Sequence, residues 1–126
     1  MTVFTINLKD DPEVIAAYRR YHREVWPEVQ QSLTRCGVRR MDIHLLGRRL
    51  VMIVEMKDGT DYAAAFKSHA ASSPRVVEWE RLMKSLQEPA PGAAQGEWWA
   101  VMEPVFHLDE GGEPVIARVA DRSRTS

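Results

Sequence analysis

The chain has 126 residues, 44% of them hydrophobic and 28% charged, which suits one globular domain and is too short for two. Its 17 Lys and Arg nearly cancel its 18 Asp and Glu, with no long block of either sign, which argues against nucleic acid or an anionic membrane as the main partner. One cysteine, Cys36, excludes an internal disulfide, and no apolar run approaches a membrane span, so a reducing, cytoplasmic setting is expected.

Residues 1–9 lack the order of a signal peptide, and Phe4, Ile6 and Leu8 alternate with Thr5 and Asn7, predicting a half-buried first strand. Asp11-Pro12-Glu13 supplies an N-cap, a first-turn proline and an early acidic residue. From there Val14, Tyr18, Tyr21, Val25, Val29 and Leu33 recur at helical spacing up to Gly37. Pro27 lacks an N–H and disfavours helical geometry at Trp26, so the helix should break there. Val38 to Leu46 and Leu50 to Met56 predict two strands joined at Gly47-Arg48. A short helix follows over Asp61 to His69, and a longer one runs from Ser73-Pro74 to about Gln87 with Val76, Trp79, Met83 and Leu86 on one stripe. Pro89 to Gly96 is a loop, and Trp98 to Leu108 predicts a last strand interrupted at Pro104.

The order β-α-β-β-α-α-β is that of an α+β fold, a ferredoxin-like antiparallel sheet with helices on one face. Such a sheet leaves its other face bare, and a second copy is the usual cover, so a homodimer is expected. The domain should occupy 1–108, with 109–126 a C-terminal tail that is flexible or reaches a partner subunit.

Tyr18 and His22, four residues apart, lie one above the other on the apolar face of the first helix. On spacing alone a buried histidine held by one hydrogen bond is the plainer reading, and an acid/base pair lining a pocket the sharper one. Trp79 and Glu80 place an aromatic ring beside a carboxylate at the margin of a buried stripe, as carbohydrate sites often do, although a carboxylate on a helix flank is equally ordinary. Trp98 and Trp99 should point to opposite faces of the last strand, so that only one enters the core. His44 is a further candidate on the second strand, and His107 is ambiguous. The four histidines are widely scattered, and no spacing suggests a metal site, a phosphate loop or a nucleophile elbow.

The segment Tyr18-Arg19-Arg20-Tyr21-His22-Arg23-Glu24-Val25-Trp26-Pro27-Glu28 resembles the Y-x-x-x-H-x-x-x-W-P-E signature of the L-rhamnose mutarotase family. The resemblance continues through Gly37, the Arg49–Glu55 strand, Glu78-Trp79-Glu80-x-Leu82-Met83 and Pro104-Val105-Phe106-His107-Leu108. It implies a dimeric α+β barrel without a cofactor, whose active-site tyrosine and histidine fall on Tyr18 and His22. It also implies a mutarotase that interconverts the anomers of a 6-deoxy-L-hexose through ring opening. Trp79, Glu80, Trp26 and His44 would then bind the sugar. The rhamnose enzymes carry paired tryptophans where this chain has Trp79-Glu80, and a branch with the E-W-E sequence is associated with L-fucose as well as L-rhamnose. L-Rhamnose is the first expectation and L-fucose the alternative. Two other classes share the topology: a non-catalytic sugar-binding dimer, and dimeric cofactor-independent monooxygenases or haem-degrading proteins.

Overall fold

Strand β1 (Thr2–Leu8) organises the sheet, because Phe4, Ile6 and Leu8 are buried on one face while its backbone is bonded along both edges. The computed structural model describes residues 1–109. Between β1 and its partner strand come helices α1 (Pro12–Arg23) and α2 (Pro27–Arg35) and strand β2 (Val38–Leu46). Strand β3 (Arg49–Met56) forms an antiparallel hairpin with β2 and lies antiparallel to β1, from Thr2↔Val54 to Asn7↔Arg49. Helices α3 (Tyr62–Ala70) and α4 (Pro74–Leu86) follow, then two short strands, β4 (Gln87–Glu88) and β5 (Ala100–Val101). The sheet order is β2-β3-β1-β4, with β5 also on β1, and this is the ferredoxin-like arrangement expected.

The helix starts follow from their caps. The Asp11 carboxylate accepts from Glu13 N at 2.9 Å, Asp61 from Ala64 N at 3.2 Å, and the Ser73 hydroxyl oxygen from Val76 N at 3.3 Å. Trp26 takes φ −56° and ψ 135°, the extended geometry a following proline imposes, so the long apolar run is two helices rather than one. Gly37 then turns the chain into β2 at φ +107°, where an added Cβ would lie 2.8 Å from Thr60 Cγ2.

All four helices pack on one face of the sheet. Ile6, Leu8 and Leu50 of the sheet meet Tyr18, Val29, Val76, Trp79 and Met83 of the helices in one buried cluster. Phe4, Val38, Met52 and Val54 form a second, continuous with it through Trp99, Leu33 and Ile43. Among the described residues, no helix is long and apolar enough to cross a membrane.

Three expectations are corrected. The last strand is not Trp98 to Leu108 but Ala100–Val101, opposite Phe4 and Thr5. Met102 N still donates to Val3 O at 2.7 Å, but β1 ends at Thr2, so the chain beyond has no strand edge left to pair with; Val105, Phe106 and Leu108 are exposed. The other half of that β1 edge is taken by β4, whose Gln87 and Glu88 pair with Leu8 and Asn7 where the last helix was expected to end. Trp98 and Trp99 precede β5 in a bend, so strand alternation does not apply to them, and both are half-buried against the core. The predicted tail lies, past Asp109, outside the described residues.

Candidate active site

Tyr18 and His22 stack on the inner face of α1, with ring centroids 4.0 Å apart and planes 25° from parallel. His22 Nδ1 lies 2.9 Å from the Tyr18 carbonyl oxygen. A carbonyl only accepts, so Nδ1 carries the hydrogen and the neutral ring keeps a bare Nε2. Burial holds the His22 imidazole below its ordinary range, partly offset by that carbonyl, so the basic form dominates near neutrality. Burial also pushes the Tyr18 hydroxyl up, assisted by the nearby Glu80 carboxyl, so Tyr18 stays a hydrogen-bond donor.

Helix α4 brings Trp79 against this pair. Its ring stands 5.5 Å from His22 and 63° off its plane, with Tyr21 at 6.3 Å and Trp26 at 5.1 Å in further edge contacts. Trp26 lies outside the cavity wall, and the Arg75 guanidinium covers its ring at 3.7 Å. It stands in edge contact with Trp79 and supports that ring.

Tyr18, His22, Trp79 and Glu80 line one cavity of about 910 Å³, within the ~300–1,000 Å³ typical of small-molecule sites. Met52 on the sheet and both Trp98 and Trp99 also border it. His44 touches its rim, yet it pairs with Val51 and alternates with the inward Ile43 and Leu45, so its exposed ring belongs to the opposite sheet face.

The reading of the sequence missed His69. It is 4% exposed on α3, borders the same cavity, and its Nε2 lies 3.8 Å from Glu80 Oε2. Its signal was there to be found: Tyr62, Ala65, Phe66 and His69 follow i, i+3, i+4, i+7, so His69 ends an inward stripe. Burial holds its imidazole low and pushes the Glu80 carboxyl up, Lys84 pulling Glu80 the other way. Among the described residues, no group of three or more His, Cys, Asp or Glu is placed to hold a metal ion.

Residues 2–108 match the family model described as L-rhamnose mutarotase. The chain belongs to that family. It is 42% identical over 110 residues to an L-fucose mutarotase of Xanthomonas campestris pv. campestris, covering 85% of this chain and 86% of that one. An L-rhamnose mutarotase of Opitutus terrae is 32% identical over 96 residues, covering 75% and 86%. Among solved structures, the L-rhamnose mutarotase of Formosa agariphila superposes with a TM-score of 0.60 at 21% identity, over 86% of this chain and 97% of that one, which supports the fold. Mutarotases are carbohydrate isomerases, and the chain is an enzyme of that class.

Proposed function

We propose that the chain interconverts the α and β anomers of a 6-deoxy-L-hexose, with His22 as the acid/base. His22 Nε2 takes the proton from the anomeric O1 as the C1–O5 bond breaks, and the imidazolium returns that proton to O5. O1 and O5 are both bonded to C1, so one nitrogen serves both. The open-chain aldehyde turns about C1–C2, and the same steps in reverse close the ring on its other face. No electron, group or outside reagent enters or leaves. Tyr18, kept protonated by burial, donates a hydrogen bond to a sugar oxygen and orients the ring. Trp79 offers an apolar wall to the sugar's C–H face, and Glu80 accepts from its hydroxyls.

The observation that carries this reading is the fixed tautomer of His22, a neutral base with a bare Nε2 on a residue that lines the open cavity. For the sugar, the greater identity to the fucose-named relative and the carboxylate of Glu80 in place of a second ring favour L-fucose over the L-rhamnose expected first. The working unit is a homodimer, supported by the exposed Leu46, Val105, Phe106 and Leu108, which a lone subunit leaves in water. Saturation-transfer NMR across a panel of L-sugars tests the function. Accelerated exchange between the anomeric protons of L-fucose is the expected result, and binding without acceleration of any sugar would reduce the chain to a binder.

A further inference from the structure

A chain of hydrogen bonds joins His69, beside Glu80, to Ser32 and Ser72, and its direction is fixed at the far end. The Ser72 hydroxyl donates to the His69 carbonyl at 2.7 Å, which uses its one hydrogen. Ser32 Oγ lies 2.8 Å from Ser72 Oγ, so Ser32 must donate there. His69 Nδ1 lies 2.8 Å from Ser32 Oγ, whose hydrogen is already committed, so Nδ1 donates. His69 is therefore the Nδ1–H tautomer, and Ser32, 2% exposed, gives it no freedom to turn. Its Nε2 faces Glu80 Oε2 at 3.8 Å. With both groups deprotonated, a lone pair would face a carboxylate; a single proton on either removes that repulsion.

Resting on the assignment of Glu80 as a hydroxyl reader, we propose that His69 is its positioning residue, and that the two hold one proton between them. A proton on either group turns the 3.8 Å approach of Nε2 and Oε2 from repulsion to attraction and leaves Oε1 as an acceptor toward the cavity, while the pair as a whole adds no net charge beside His22. The other groups that act on Glu80 are Tyr18 from α1 and Lys84 one turn along α4; besides Glu80, the His69 ring meets the Ser32 hydroxyl, and Ser72 bonds the His69 carbonyl. Glu80 keeps a side chain 37% exposed, open to a ligand, whereas His69 borders the same cavity but is only 4% exposed. The division of labour is thus an exposed reader and a buried proton partner.

The test begins on the full chain with no sugar and no activity measurement. Nitrogen-15 NMR of the imidazoles across pH should show His69 as the Nδ1–H tautomer, and its Nε2 should titrate at a distinctly lower pH in Glu80→Gln than in the wild type. An Nε2–H tautomer, or one His69 titration common to both proteins, would overturn the proposal. Two variants then divide the ring's functions. Asn at 69 keeps a donor toward Ser32 but loses Glu80, whereas Gln reaches toward Glu80. His69→Asn should raise the KM for the sugar about tenfold with a smaller change in kcat, and His69→Gln should recover part of that KM. Equal KM in the two variants would also overturn it. Because the titration needs no turnover, it judges the pair even if no sugar is isomerised.

Discussion

Truncating Trp79 to Ala removes the ring on which the site is assembled. That ring is 4% exposed and stands in edge contact with Tyr21, His22 and Trp26 at 6.3, 5.5 and 5.1 Å. Replacing a buried aromatic by alanine costs about 3–5 kcal/mol, and each lost aromatic pair adds about 0.5–1.5 kcal/mol when the neighbours cannot close the gap. Here they cannot close it easily. The His22 ring is tied to the α1 backbone through the Tyr18 carbonyl, and the Arg75 guanidinium covers the Trp26 ring. A loss near the upper end, about 4–5 kcal/mol, is expected, against a total of about 5–15 kcal/mol for a domain. Urea unfolding followed by circular dichroism should show the midpoint fall with an unchanged m-value, and the Tm should drop by about 15–25 °C. Trp79→Phe should lose well under half as much. A loss below about 1 kcal/mol for the alanine variant would refute the packing described, since it would mean the three neighbours do not lean on this ring.

With His22 as the base, kcat/KM should fall on the acid side with an inflection below the ordinary imidazole value of about 6.5; an inflection above 7 would contradict its depressed pKa. His22 is held low, so its share of the stability should rise with pH through the window below about pH 6.5 and level off above it, which unfolding curves of the wild type and His22→Gln across pH would show or deny. Gly37→Ala combines a positive φ with a 2.8 Å approach to Thr60 Cγ2, and should cost about 2–3 kcal/mol by urea unfolding, part of it regained in Gly37→Ala/Thr60→Ser; a cost below about 0.5 kcal/mol would be inconsistent with that geometry.

Most elements were legible because their signals are local. Asp11, Asp61 and Ser73 announce helix starts through side-chain bonds two or three residues away, and Pro27 dictates the geometry of Trp26. The strands that failed depend on distant chain. Whether the residues after Ala100 stay paired is decided by where β1 runs out, and β4 exists because Leu8 and Asn7 offer an edge to Gln87 and Glu88. Nothing within those segments records either fact. The site divides in the same way: Tyr18 and His22 share one helix and were found by spacing, and the Trp-Pro-Glu block after them carried the family. His69 and Glu80 lie on different helices, and only the packing of α3 on α4 brings them together. The face His44 takes was not legible, because a strand residue's face depends on the register of its neighbours, here Ile43 and Leu45 turned inward.

The most direct measurement is anomer exchange of L-fucose and L-rhamnose by saturation-transfer NMR with wild-type and His22→Ala protein side by side, each checked for folding by circular dichroism. With His22 as the acid/base, the folded variant should lose about 10²–10⁴-fold of the accelerated exchange while still binding the sugar. A folded His22→Ala protein that exchanges the anomers at the wild-type rate would contradict the assignment.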